Sequence, residues 1–224
     1  MAVDKDQHAD ARPLGQEAGH GESGLQRLES FSDGVMAVII TIMAFNLKPP
    51  GAPTFSALWD RLPELLVYVL SFAFIGIYWN NHHHLLRSAT RISSAVMWSN
   101  LLLLFWLSLI PVLTNWLGSD YHNALPAAVY GIDGLLAAVS YYLLVRALIT
   151  ANGRESRLAR AVAGDFKGRI SVVMYIAGVA GSVITPWIAY TIYVAVSLMW
   201  IIPDRRLGPP SGRPAQQKPP TTDE

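Results

Sequence analysis

Cysteine is absent from the chain, which excludes disulfides, thiolate nucleophiles and Cys-ligated zinc or iron–sulfur sites. Charge is scarce too. Only 15% of the 224 residues are Asp, Glu, Lys or Arg, and the formal net charge is +1. That composition speaks against a wholly disordered chain, and its near-neutrality leaves no basic field to hold nucleic acid. Gly-rich phosphate loops are missing, residues 151–169 hold no GxxxxGK[ST], and no Ser/His/Asp or metal motif stands out, so no enzyme is expected and no cofactor. No signal peptide is read either: the first apolar segment starts near Leu25, follows acidic as well as basic residues, and lacks a small-residue cleavage site. Against these absences stands a hydrophobic content of 52%. The mean hydropathy of +0.31 is high for a soluble protein and modest for a membrane one.

The distribution of polar residues separates those two cases. Residues 1–24 carry almost no large apolar side chains, and residues 204–224 are polar and Pro-rich. Both read as disordered tails that dilute the average. Between them, residues 25–203 divide into apolar runs at about Leu25–Leu47, Leu62–Trp79, Ser93–Leu117 and Ala124–Ile149, with a last stretch, Arg169–Ile202, broken at Thr185-Pro186. A hydrocarbon core of roughly 30 Å needs ~20 residues of helix, so four runs fit directly. The last stretch is either two short helices with a tight turn or one long kinked helix.

Charge selects between five and six crossings. With six, both tails lie on one side, and that side carries 15 of the 17 basic residues, leaving only Lys48 and Arg61 opposite. This is the positive-inside asymmetry. A five-helix reading moves Arg205 and Arg206 outside and weakens it. The expectation is therefore an all-α membrane protein of six transmembrane helices with cytoplasmic termini. Six of the seven tryptophans fall near run ends, as interfacial belts require, and Trp106 is the exception.

The first helix opens Arg27-Leu28-Glu29-Ser30-Phe31-Ser32-Asp33-Gly34. Two readings stand for its charges: an interfacial cap with an ordinary salt bridge, or a functional group held at a membrane helix end. Arg27 and Asp33 are six apart, too far for an i,i+4 pair, so each is expected to find partners on other helices. The helix then becomes almost wholly aliphatic, with Thr41 the one polar residue in its middle. Gly34, Val38, Thr41 and Phe45 follow +4, +3, +4 spacing and share a face. Close helix packing, lipid contact and ordinary packing all suit such a face.

The segment Arg27-x-x-x-Phe31-Ser32-Asp33 resembles the RxxxFSD motif of the endolysosomal potassium channel family and its bacterial homologues. Trp79-Asn80-Asn81-His82-His83 is similar to that family's WxxH(H) element. Asn100 followed by LLLLFWLSLIPVLT is similar to its Asn, Leu-rich, Leu-x-Pro pattern. The resemblance covers most of residues 25–202. It implies one six-helix repeat per chain and a homotetramer whose first helices line a central pore. It further implies a hydrophobic constriction at Val38, a threonine layer at Thr41 and an outer apolar layer at Phe45, with Gly34 on the same lining, in place of a TVGYG carbonyl filter. Val38 is smaller than the Ile or Leu usual at that position. Arg27, Phe31, Ser32, Asp33, His82 and Asn100 are implied to form a network that holds the pore helix. The expected function is a potassium-preferring cation leak channel in the bacterial inner membrane, with potassium ions and the lipid bilayer as partners.

Other features invite separate readings. Consecutive residues on a helix point ~100° apart, so His82-His83-His84 cannot form one facial metal site, and no metal is expected. Titration of these histidines near neutral pH is a pH-sensing reading that stays open. Asp133, between Gly131 and Gly134, could line a crevice, bond Tyr130 or Tyr141, or relay protons, and reads as structural. The basic stretch Arg154–Arg169 reads as a cytosolic loop against anionic lipid, and Pro111 and Pro186 as kinks or turns. The rival function is a proton-coupled transporter or proton conductor built on Asp133 and the histidines. No inverted repeat relates residues 25–117 to 124–202 in its support.

Overall fold

The computed structural model describes residues 14–153, 155–156, 158–159 and 166–201. Among the described residues seven helices follow one another: α1 (Leu14–Phe45), the one-turn α2 (Phe55–Trp59), α3 (Leu62–Arg87), α4 (Ser94–Ser119), α5 (Ala124–Asn152), α6 (Phe166–Ser182) and α7 (Pro186–Ile201). Among the described residues, four helical segments are long and apolar enough to cross a membrane: Gly24–Phe45, Leu62–Arg87, Ser94–Ser119 and Ala124–Asn152. The last two helices have 17 and 16 residues, about 24–26 Å at 1.5 Å per residue. They are separate helices, which resolves the alternative of one kinked helix. Pro186 opens the second of them, where its missing N–H costs nothing.

Three boundaries differ from the sequence expectation. The first helix begins at Leu14, not near Leu25. Its added turns (LGQEAGHGESG) mix good helix formers (Leu, Gln, Glu, Ala) with four glycines, so they depend on continuing a helix that the apolar part has already nucleated. The third helix runs to Arg87 and so takes in the whole Trp79–His84 element. The short α2 follows Thr54, whose side chain accepts from the Ala57 N–H as an N-cap. Of the remaining expectations, residues 1–13, the C-terminal tail 204–224 and Arg154, Arg157 and Arg160 of the basic loop lie outside the described residues.

Side-chain burial explains the packing. The inner face of α1 carries Leu28, Ser32, Met36, Ile39 and Met43, spaced by three and four, and packs on α3 and α4. The pair α4–α5 and the pair α5–α6 form the rest of the spine, with α7 closing against α6. Gly134 and Gly178 let Tyr175 and Tyr193 approach the helix backbones closely, and Tyr193 donates to the Ala127 carbonyl (3.0 Å) while Tyr190 donates to that of Tyr121 (2.8 Å). The loop between α3 and α4 is clamped by Asn152 at the end of α5: its Oδ1 accepts from the Thr90 and Arg91 N–H groups (2.7 and 2.9 Å), and its Nδ2 donates to the Arg91 carbonyl (3.0 Å). Outward, large apolar side chains such as Phe72, Phe105, Leu143 and Val173 stand exposed. A soluble monomer rarely shows so broad an apolar exterior.

Candidate functional site

The expected pore face is physically distinct from its neighbours. Gly34, Val38, Thr41 and Phe45 all lie on the uncovered side of α1, with Val38 56% and Phe45 82% exposed in the isolated chain. Thr41 donates its hydroxyl proton to the Ala37 carbonyl one turn back (2.8 Å). Its oxygen lone pairs are therefore free to face outward.

Behind this face, a polar chain crosses three helices. His82 Nε2 lies 2.7 Å from Asn100 Oδ1, Asn100 Nδ2 donates to Ser32 Oγ (2.9 Å), and Ser32 donates to the Leu28 carbonyl (2.8 Å). His82, Asn100 and Ser32 are each fully buried. The donor count orients the chain: the Asn100 carbonyl oxygen needs a donor, so His82 is the Nε2–H tautomer, assigned from the network. Asp33, the next residue along α1 after Ser32, accepts from Trp79 Nε1 on α3 (3.0 Å). Three expected members, His82, Asn100 and Ser32, thus meet in one chain, and Asp33 is tied to α3 separately through Trp79. Arg27 and Phe31 join neither. Phe31 is 53% exposed, both line an open groove with Ile92, Met97 and Leu101, and among the described residues Arg27 has no ion pair. Arg27 is exposed on α1.

Other groupings escaped sequence reasoning. Thr114 donates to Ser71 (2.7 Å), which shares a hydrogen bond with Tyr130 (3.0 Å), and Met43 Sδ lies 3.8 Å from the same Thr114 hydroxyl. This links α1, α3, α4 and α5 in the apolar interior, and no spacing in the sequence announces it. Glu29 Oε1 lies 2.8 Å from His83 Nδ1, and Glu29, Asp33 and His83 each present one donor atom within 4.8 Å of the others. The i,i+4 spacing of Glu29 and Asp33 was the available signal. His84 points away, ring-edge on to His83. Asp133 is 3% exposed, yet neither of its oxygens has a hydrogen-bond partner among the described residues. Tyr130 is engaged with Ser71, and Tyr141 donates to the Asn81 carbonyl (3.3 Å).

Comparison with known proteins gives this arrangement a context. A family model described as "Endosomal/lysosomal potassium channel TMEM175" matches residues 27–111, the stretch that holds the network and the pore face. A potassium channel of a Chryseobacterium strain is 44% identical over 181 residues, covering 81% of this chain and 94% of that protein. The crystal structure of a lysosomal potassium-selective channel TMEM175 homologue from Chamaesiphon minutus superposes with a TM-score of 0.72 at 26% identity, covering 80% of this chain and 97% of that one. The chicken endosomal/lysosomal proton channel TMEM175 is 28% identical over 117 residues, 46% of this chain and 23% of that protein. Apolar helices of membrane length and relatives that are channels and not enzymes define a multi-pass membrane protein of the ion-channel class. Within that class the chain belongs to the TMEM175 family, as a bacterial-type member.

Proposed function

We propose that the chain is a potassium-preferring cation leak channel of the bacterial inner membrane, assembled from four copies around a central pore lined by α1. The observation that carries this reading is the uncovered Gly34–Val38–Thr41–Phe45 face, apolar except for one hydroxyl, on a helix whose opposite face is anchored by the His82–Asn100–Ser32 chain. Four such helices brought together would ring the axis with Val38, Thr41 and Phe45. Rings of Val or Phe narrow a pore until it dewets and closes to hydrated ions. Thr41 oxygens, with their protons committed to Ala37, replace part of the hydration an ion loses. Potassium sheds water more readily than sodium, so a dehydrating passage favours it. In this reading α6 and α7 also cross, which makes six spans with both termini inside, and the anchor network holds α1 in place without touching the ion. Protein reconstituted in liposomes should pass K⁺ down its gradient without saturating. Sealed liposomes with no K⁺ flux beside a working control channel would refute it.

Proton conduction is the second reading, and the unpartnered, buried carboxylate of Asp133 is the observation that favours it. A proton-coupled carrier would give flux that saturates and follows a pH gradient; a channel for K⁺ gives linear, uncoupled flux.

A further inference from the structure

Arg146 on α5 and Lys167 and Arg169 on α6 stand well apart in the sequence, yet the hairpin of these two helices brings them to the rim of one groove. The groove has a volume of about 370 Å³ and lies between α5, α6 and α7, with Ala138, Tyr142, Arg169, Val172 and Trp200 among its walls. Two of its aromatic walls carry a cation: Arg146 Cζ lies 5.9 Å from the Tyr142 ring centre, and Lys167 Nζ lies 6.0 Å from that of Trp200. Trp200 is oriented by donating its Nε1–H to Ser171 Oγ (2.8 Å). Arg146 and Arg169 are both exposed, and among the described residues neither has a carboxylate partner. Away from this rim the exterior turns apolar. Val139 and Tyr142 share a face of α5 with Arg146, and Val173 and Ile176 share a face of α6 with Arg169, by spacings of three and four. All four of these side chains stand exposed. Cations at one end and an apolar stripe leading away from them match an anionic amphiphile.

We propose that the groove between α5, α6 and α7 binds an anionic phospholipid, its phosphate among Arg146, Lys167 and Arg169 and an acyl chain along Val139, Val173 and Ile176. A basic pocket between membrane helices suits a phosphodiester headgroup. The guanidinium of Arg presents a planar fork of N–H donors that matches phosphate oxygens in pairs. The Tyr142 and Trp200 rings take the place of interfacial aromatics, which sit at headgroup level. A free phosphate would use the charges and leave the apolar walls in water, whereas a phospholipid uses both. Unlike the loose attraction of a basic loop to a charged surface, a lipid seated here touches three helices and ties α7 to the α5–α6 hairpin. In the proposed orientation this end faces the cytoplasm, so the lipid comes from the inner leaflet; the binding itself does not depend on that orientation.

The test is native mass spectrometry of the delipidated full-length protein in neutral detergent, titrated with phosphatidylglycerol and, separately, with phosphatidylcholine of the same acyl chains. Wild type should bind phosphatidylglycerol about tenfold more tightly or better. Arg146→Gln combined with Arg169→Gln should weaken that binding about tenfold. Arg87→Gln combined with Arg91→Gln removes the same charge from the same end of the bundle but outside the groove, and should bind like wild type. Ala138→Phe keeps every charge, fills the apolar wall, and should weaken phosphatidylglycerol about as much as the groove pair does. Glycerol 3-phosphate, which has the phosphate without the chains, should not compete even in large excess. Variants are compared at equal elution volume on size exclusion, and if the Arg146/Arg169 pair does not purify, Ala138→Phe decides alone. Equal binding of the two lipids by wild type, equal loss in the two paired variants, unchanged binding by Ala138→Phe, or competition by glycerol 3-phosphate would each overturn the assignment. The readout is binding and not flux, so it stands apart from the outcome of the channel reading.

Discussion

Single residues divide into two groups that should respond differently to substitution. Thr41 stands on the uncovered face with its proton given to the Ala37 carbonyl, so Thr41→Ala removes the oxygen that the proposed pore would present to an ion and leaves the backbone undisturbed. It should shift the bi-ionic K⁺/Na⁺ reversal potential toward zero, and an unchanged potential would remove Thr41 from the filter. Asn100 acts from the other side of the helix. Asn100→Leu leaves the His82 donor buried without a partner, costing about 1–3 kcal/mol, and takes from the Ser32 oxygen the donor it accepts from, while Ser32 keeps its bond to the Leu28 carbonyl. Lower thermal stability and tetramer yield should follow, with normal selectivity in whatever protein survives. That Ser32, His82 and Asn100 belong together was legible through their resemblance to a known motif. The inclusion of Trp79 and the exclusion of Arg27 and Phe31 were not, because side-chain reach across helices has no signature in linear spacing.

Among the helices, α1 is defined by its asymmetry. One stripe (Leu28, Ser32, Met36, Ile39, Met43) is buried against α3 and α4, and the opposite stripe is left exposed among the described residues of the single chain. Its glycine tests that difference. A Cβ at Gly34 would meet open space within 4 Å, whereas one at Gly134 would lie 2.7 Å from the Tyr175 ring. Gly134→Ala should therefore lower stability by about 1–3 kcal/mol through overpacking of α5 on α6. Gly34→Ala should not, and should alter conductance instead, since the added methyl projects from the face assigned to the pore. Comparable melting temperatures for the two variants would contradict this division. The helices themselves followed from hydropathy. The polar start of α1 and the one-turn α2 did not, because helix propagation and a local Thr54 cap decide them.

For the molecule as a whole, topology is the expectation most open to direct measurement. The chain has no cysteine, so single introduced cysteines report cleanly. In the proposed orientation, Ala52→Cys should react with an impermeant thiol reagent added outside intact cells, and Glu155→Cys only after the membrane is opened. The reverse pattern would invert the positive-inside assignment. Assembly is tested by crosslinking in mild detergent, where a four-chain species should dominate, and the exposed groove beside Phe31 and Ile92 should become protected within it.

What the sequence determined by itself is the class of solvent each segment inhabits. Hydropathy and loop charge are properties of composition along the chain, and bilayer thickness converts them directly into membrane-length helices. It also carried the motif residues, because a spacing on one helix is conserved by the helix's own geometry. Tertiary structure alone decided which of those residues meet. The His82–Asn100–Ser32 chain, the Thr114–Ser71–Tyr130 link and the Glu29–Asp33–His83 cluster each join helices separated by tens of residues. Such meetings depend on the rotation and depth at which one helix packs on another. Those are set by the fit of many apolar side chains at once, and no local pattern records them.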